Sequence, residues 1–299
     1  MKAIYDVPAP AKLNLFLHIT GQRSDGYHLL QSAFMLIDWC DTLHFELRSD
    51  GALTREDLTT PLPADDLVLR AARLLRTQGD AKLGAHIGIE KRVPAQAGMG
   101  GGSSDAASTL LALNRLWGLN LPLAQLETLG LQLGADVPFF LRGRNAWVEG
   151  IGERITPVEL PPGDFLVVKP QDGLETRTIF SDAGLKRDFA SAIISGFAAH
   201  PFHFGENVLQ PVAQRLCPAV SQALEWLAGK GLSGRMTGSG SAVFAPLPSD
   251  GKERFAGQSA VVDTSDVDSR WQVRKCSNMA VHPLLGWATA MVKVKDFYN

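Results

Sequence analysis

The chain has 299 residues, of which 45% are hydrophobic and 20% charged, and its formal net charge at pH 7 is −2. This length suits two domains with buried cores, and the charge gives no reason to expect nucleic acid or an anionic membrane as a partner. No pair among Cys40, Cys217 and Cys276 has metal-site or redox spacing, and an odd count does not suggest a disulfide framework. The N-terminus is a poor signal peptide, and no apolar run approaches the roughly 18 residues of a membrane span. These features predict a cytoplasmic protein.

The first half of the chain predicts a mixture of strands and helices. Residues 11–20 (AKLNLFLHIT) alternate with a period of two, which is typical of a strand. Its two predicted faces are Ala11, Leu13, Leu15, Leu17 and Ile19 on one side, and Lys12, Asn14, Phe16 and His18 on the other. The elements predicted after it are a turn-rich loop (21–28), a strand (41–49), a helix (64–79), a strand (84–94), a helix (102–118), a helix running into a Gly-Ala-Asp turn (122–141), and a strand with a turn (143–155).

Prolines and a glycine cluster at residues 158–164 (VELPPGD) and indicate a domain boundary. Beyond it the sequence predicts a strand (165–170), a helix (219–231), a strand–glycine turn–strand unit (234–247), a late strand (271–279) and a final helix. Because the order lacks the regular alternation of a doubly wound sheet, we expect an α+β fold in two domains, residues 1–158 and 159–299.

A glycine-rich stretch, PAQAGMGGGSSDAAS (94–108), lies directly before the helix at 102–118. Glycine lets backbone N–H groups approach a ligand closely, and a helix N-terminus attracts anions, so the stretch predicts a phosphate cradle. Ser103 and Ser104 could cap the helix and offer hydroxyls to phosphate or Mg²⁺. A flexible loop with an ordinary serine cap is the alternative. No Gly-Lys-Ser/Thr follows, so any lysine that meets the phosphates must come from elsewhere.

Two further stretches, PAPAKLNLFLHITGQRSDGYH (8–28) and RMTGSGSAVFA (235–245), complete a set of three motifs. Their order and spacing resemble those of the GHMP small-molecule kinases over nearly the whole chain. The resemblance implies an N-terminal domain like the second domain of ribosomal protein S5, a ferredoxin-like C-terminal domain, and an active site in the cleft between them. It also implies ATP and Mg²⁺ as cofactors. The residues it assigns to ATP are Pro94, Gly98, Met99, Gly100, Gly101, Gly102, Ser103 and Ser104, with Ser104 as the metal ligand.

The same resemblance implies that Lys12 and Asp136 are catalytic. Asp136, in LGADVPFF, would orient or deprotonate the acceptor hydroxyl, and Lys12 would keep that carboxylate ionised. The alternatives from the residues alone are an exposed strand lysine and an aspartate that caps the next turn.

The residues of these motifs are most similar to those of one branch of the family. Members of that branch phosphorylate a cytidine diphosphate ester of methylerythritol in the non-mevalonate isoprenoid pathway. That resemblance implies that Tyr27 and Phe180 stack on the cytosine and that His28 bonds its edge. Asn14 and Thr176 would lie near the methylerythritol hydroxyls, with Gly238, Ser239 and Gly240 near the catalytic centre. Asp66 departs from the family, which often has Asn there, so we assign no adenine contact.

Three functions remain open from the sequence. The first is the kinase just described, acting on a small molecule as a monomer or homodimer. The second is a homoserine- or mevalonate-type kinase, which would have no use for Tyr27, His28 and Phe180. The third is a ligand sensor that has lost catalysis, against which the presence of both Lys12 and Asp136 argues.

Overall fold

Residues 1–80, 82–248 and 262–289 are described by the computed structural model, and their first half is built around one six-stranded sheet. Its strands are β1 (Ala3–Gln22), β2 (His28–Arg48), β3 (Leu53–Asp57), β4 (Gly84–Glu90), β5 (Ala146–Gly150) and β6 (Arg154–Pro157). β2 is the central strand: it pairs antiparallel with β1 along one edge and with β4 and β5 along the other. The predicted strands at 11–20 and 41–49 are confirmed as parts of longer ones.

β1 departs from simple alternation because its register with β2 shifts between Asn14 and Leu17. A bulge of this kind changes which face the following side chains occupy. Phe16 therefore packs with Leu13 and Leu15, whereas Leu17 lines the same cleft as Lys12 and Asn14. Ile19 packs in the same cluster as Leu17, and the His18 ring lies 4.8 Å from that of Phe16, so the predicted two-face division is wrong from Phe16 to Ile19. Both faces of the strand are buried.

Four helices cover the first sheet: α1 (Leu67–Arg76), α2 (Gly101–Leu116), α3 (Leu123–Leu133) and α4 (Val137–Arg142). α1 buries Val68, Ala71, Ala72 and Leu75, which are spaced as one face of a helix. The helix predicted to run into the Gly134–Asp136 turn ends at Leu133 as α3, where the backbone becomes extended at Gly134. The residues after the turn form a separate short helix, α4, with Pro138 in its first turn.

The second half contains a four-stranded antiparallel sheet made of β7 (Asp164–Lys169), β8 (Arg235–Met236), β9 (Val243–Pro246) and β10 (Gln272–Ser277), in the order β10-β7-β9-β8. This order fits the ferredoxin-like expectation. The helices of this half are α5 (Thr176–Phe180), α6 (Ile194–Ala199), α7 (Gln210–Leu216) and α8 (Pro218–Gly229). The α+β class is confirmed. The predicted final helix lies outside the described residues.

The chain returns to the first half near its end. Leu284 belongs to the core under the first sheet, and Met279 and Trp287 pack against that core. The predicted boundary at 158/159 falls between β6 and β7, yet residues after β10 contribute to the core of the first half. The division into 1–158 and 159–299 therefore stays a prediction.

Candidate active site

A cleft of about 740 Å³ lies between the first sheet with its helices and the second half of the chain. It is lined by β1, the glycine stretch, the start of α2, the segment 174–180 and the turn 238–240. The predicted site residues that line it are Lys12, Asn14, Pro94, Gly98, Met99, Gly100, Gly101, Gly102, Ser103, Asp136, Thr176, Phe180, Gly238, Ser239 and Gly240. Ser104, Tyr27 and His28 do not line this cleft.

Lys12 and Asp136 meet at the centre of the cleft, with Lys12 Nζ 3.6 Å from Asp136 Oδ2. The Lys12 side chain is 4% exposed and that of Asp136 31%. Burial lowers the pKa of Lys12, and the charge of Asp136 partly opposes that shift. Although Asp136 precedes α4, its side chain makes no capping hydrogen bond. A buried cation and an accessible carboxylate are therefore in contact, an arrangement that suits the transfer of a proton to or from a bound ligand.

β1 connects this pair to both glycine motifs. The Lys12 backbone N–H donates to Met99 O at 2.9 Å, and the Asn14 N–H donates to Thr237 Oγ1 at 2.8 Å. Lys12 Nζ also donates to Asn14 Oδ1, and Asn14 Nδ2 donates to Ser32 Oγ at 2.9 Å. Both polar side chains on β1 are thus fixed in orientation by bonded neighbours.

The glycine stretch docks on the turn 237–240 through backbone contacts. Gly98 has a φ of +70°, and a Cβ there would lie 2.2 Å from Thr237 O and 2.9 Å from Gly240 N. A Cβ on Gly238, whose φ is +54°, would lie 2.5 Å from Gly98 O. Only glycine fits at both positions. The turn 237–240 therefore forms one wall of the cleft. The alternative from the sequence, a simple tight turn of a hairpin, does not account for this contact with the glycine stretch.

Gly98→Ala is expected to destabilise the protein by about 3 kcal/mol, because a left-handed alanine and a clash with fixed backbone each cost about 1–2 kcal/mol. The measurement is urea unfolding of both proteins. Gly118→Ala is the matched control, since Gly118 has a φ of +67° and nothing within 4 Å of an added Cβ. Equal losses at the two positions would contradict a close contact between the glycine stretch and the turn.

Gly100, with a φ of +70°, is the N-cap of α2, and no side chain caps this helix. The expectation that Ser103 or Ser104 is the cap is wrong, because the helix already begins at Gly101. Gly101, Gly102 and Ser103 line the cleft, so the start of α2, whose first N–H groups have no partner within the helix, borders it and is suited to an anion. Ser104 Oγ is buried and makes no hydrogen bond within the described residues.

A buried charge cluster behind the glycine stretch was missed by the sequence analysis. Lys91 Nζ contacts Asp41 Oδ2 and lies 2.6 Å from Asp105 Oδ2. Burial would lower the pKa of Lys91, but Asp105 and Asp41 outweigh it and raise the pKa above its usual value. Burial raises the pKa of Asp105, with Lys91 opposing the shift. Lys91 and Asp105 line the cleft, so Lys91 is a lysine near the glycine stretch that does not belong to it. Its only sequence signal is its place directly before the glycine stretch.

Asp66 also lines the cleft. Its carboxylate accepts from Val68 N at 3.2 Å and Leu69 N at 3.1 Å as the N-cap of α1, and it pairs with Arg55 Nη1 at 2.6 Å. Aspartate at this position therefore has a structural task, in capping α1 and binding Arg55.

Among the predicted base-binding residues, Phe180 lines the cleft and His28 lies against it. The ring centroids of His28 and Phe180 are 5.2 Å apart, and Thr176 Oγ1 is 2.7 Å from Ser239 Oγ. Tyr27 is 60% exposed. The structure thus brings His28, Phe180 and Thr176 to one region.

Known proteins with similar sequences are kinases. The GHMP kinase N-terminal domain family matches residues 66–144, and the GHMP kinase C-terminal family matches residues 193–259. A 4-diphosphocytidyl-2-C-methyl-D-erythritol kinase from Albidiferax ferrireducens is 69% identical over 97% of each chain, and one from Variovorax paradoxus is 65% identical over 97% of this chain and 100% of its own.

Among solved structures, a crystal structure of 4-(cytidine 5'-diphospho)-2C-methyl-D-erythritol kinase superposes with a TM-score of 0.70 at 36% identity, covering 81% of this chain and 89% of that one. A homoserine kinase from Cytophaga hutchinsonii gives a TM-score of 0.61 at 17% identity, over 84% and 86% of the two chains, and shares the fold. The chain therefore belongs to the GHMP kinases, in the family of the 4-diphosphocytidyl-2-C-methyl-D-erythritol kinases.

Proposed function

We propose that the chain transfers the γ-phosphate of ATP to the 2-hydroxyl of 4-diphosphocytidyl-2-C-methyl-D-erythritol, giving the 2-phosphate and ADP. The observation that carries the proposal is the Lys12–Asp136 pair, which lies in the same cleft as the N-terminus of α2. The high identity to relatives named for this activity supports the choice of substrate. The reaction belongs to the non-mevalonate pathway of isoprenoid precursor biosynthesis.

In the proposed mechanism the phosphates of ATP lie against the backbone of residues 98–104. The N–H groups at the start of α2 and the partial positive charge of that helix end stabilise them. The acceptor oxygen then bonds to the γ-phosphorus as the bond from that phosphorus to the bridging oxygen breaks. Since this kind of transfer depends mainly on alignment and charge, the rigid docking of Gly98 on Gly238 favours it.

Asp136 takes the proton of the acceptor hydroxyl in this mechanism or orients that hydroxyl toward the γ-phosphorus. Its carboxylate is accessible and makes no capping bond, so it is available to a substrate. Lys12, held by Asn14, stabilises the negative charge that develops on the acceptor oxygen. A buried ammonium suits that role because few water molecules can screen it.

Mg²⁺ is proposed as the second cofactor. The described residues contain no group of three His, Cys, Asp or Glu side chains arranged for a metal, but nucleotide-bound Mg²⁺ needs only one or two protein ligands besides phosphates and water. Ser104 Oγ has no partner among the described residues, and its neighbours Ser103 and Asp105 line the cleft, although the Ser104 side chain itself is buried. Ser104 would hold the ion, which would neutralise phosphate charge.

Tyr27, His28 and Phe180 are proposed to bind the cytosine, and Asn14 and Thr176 to lie near the methylerythritol hydroxyls. The closeness of His28 to Phe180 supports a single base site. The alternatives are a homoserine- or mevalonate-type kinase and a sensor without catalysis. The Lys12–Asp136 contact favours an enzyme over the sensor.

The protein is proposed to work in the cytoplasm as a monomer or homodimer, without nucleic acid or membrane partners. All three cysteines are free thiols, which fits a reducing compartment. No helix within the described ranges is both long and apolar enough to cross a membrane.

The test is ATP consumption by the purified protein with Mg²⁺ and three acceptors: the cytidylated methylerythritol, homoserine and mevalonate. We expect turnover with the first acceptor alone. Turnover with homoserine or mevalonate would remove the cytidine assignments, and ATP binding without turnover of any acceptor would favour the sensor.

A further inference from the structure

Arg187 is an unassigned residue that contacts the proposed base site directly. Its Nε donates to His28 Nε2 at 3.0 Å. Three backbone carbonyls hold the rest of the guanidinium: Nη1 donates to Leu185 O at 3.1 Å, and Nη2 donates to Phe180 O at 3.2 Å and Asp182 O at 2.9 Å. One arginine therefore ties the end of α5, at Phe180, and the loop that follows it to the imidazole of His28.

This contact determines the protonation of His28. An arginine has only donors, so the imidazole nitrogen that it bonds must present a lone pair. The neutral ring then carries its proton on Nδ1, and Nδ1 makes no hydrogen bond to another described residue. Burial and the positive charge of Arg187 both lower the pKa of His28, which favours that neutral form.

The position of the proton matters for pyrimidine recognition. Atom N3 of cytosine accepts a hydrogen bond, whereas N3 of uracil carries a hydrogen and donates one. A side chain fixed as a donor complements the first and opposes the second. A ligand that leaves a polar group of the site without a partner, or that places a second donor against a donor, is rejected strongly.

We propose that Arg187 is a specificity-determining positioning residue, which fixes His28 as an Nδ1–H donor and so selects a cytosine over a uracil nucleotide. The inference rests on the proposed cytidine substrate. Arg187 acts through His28 and not through contact with the reacting atoms.

The experiment measures binding of cytidine 5'-diphosphate and uridine 5'-diphosphate to the full chain by calorimetry. We expect the wild-type protein to prefer the cytidine nucleotide, and Arg187→Met to reduce that preference about tenfold, as the loss of one oriented hydrogen bond would. Arg215→Met is the matched control. Arg215 binds the same loop through Asp182 at 2.6 Å and does not contact His28, so its loss should preserve the preference.

A purely structural role for Arg187 would weaken binding of both nucleotides equally, because stacking on Phe180 does not distinguish the bases; that result would overturn the proposal. Nitrogen-15 NMR of histidine-labelled protein gives an independent readout, with the His28 signals assigned by their absence in His28→Gln. We expect a protonated Nδ1 and an unprotonated Nε2 in the wild-type protein, and a protonated Nε2 there would also overturn it. If the wild-type protein binds neither nucleotide while His28 keeps the expected tautomer, the cytidine substrate is refuted and the selection of cytosine with it, and only the arginine–histidine contact remains.

Discussion

Asp136→Asn is expected to lower kcat about 10²- to 10⁴-fold, the range typical of losing a positioned acid or base. Asparagine keeps the size of the side chain but cannot accept a proton from the substrate hydroxyl. The loss of its charge also removes the interaction that opposes the lowered pKa of Lys12, so the buried lysine holds its proton less firmly. The measurement is steady-state ATP consumption with the cytidylated acceptor.

The control for that variant is Glu127→Gln. It makes the same change of a carboxylate to an amide on α3, where Glu127 pairs with Arg142 outside the cleft. We expect its kcat to stay within about twofold of wild type, as for a partly exposed ion pair distant from the reaction. A near-normal kcat for Asp136→Asn would contradict its role in handling the hydroxyl proton and leave charge stabilisation by Lys12 as the main contribution.

Asp41→Ala is expected to reduce the free energy of unfolding by about 3–5 kcal/mol, the usual effect of removing one partner of a buried ion pair. Asp41 is fully buried, and its Oδ1 accepts from Arg92 N at 2.5 Å and Val93 N at 2.7 Å while its Oδ2 contacts Lys91. The substitution leaves two backbone donors unpaired and removes one of the two anions from Lys91. Urea unfolding gives the loss.

Asp50→Ala serves as the comparison, because Asp50 forms an exposed ion pair with Arg48. We expect its midpoint of unfolding to stay close to that of the wild-type protein. The backbone at residues 91–93 leads directly into the glycine stretch, so Asp41→Ala should weaken ATP binding as well. Loss of stability with unchanged ATP affinity would show that Asp41 supports the core without positioning the glycine stretch.

The local elements that carry the site could be predicted from the sequence. The strand at residues 11–20, the helix after the glycine stretch and the strands around residues 237–240 all form as expected. These signals are local because backbone conformation and helix or strand periodicity depend mainly on near neighbours in the chain. The end of α3 at Gly134 was predicted as well, whereas the short helix α4 after the turn was not.

Contacts between distant segments were not predictable in the same way. Lys91, Asp41 and Asp105 carry no common motif, and they meet only because β2, β4 and α2 pack together. The bond from Arg187 to His28 joins residues 159 positions apart. The shift in β1 that turns Leu17 toward the cleft depends on its pairing with β2, since a bulge is a property of two strands.

The sequence by itself determined the α+β class, the order of the motifs and the chemistry suited to a phosphate cradle, because glycine content and helix starts act through the local backbone. Only the tertiary structure decided which polar side chains share a site. Lys12 meets Asp136, Gly98 closes on Gly238 and Arg187 sets the donor of His28 through contacts between segments remote in sequence. Such contacts depend on how the sheets and helices pack, which no single stretch of the chain encodes.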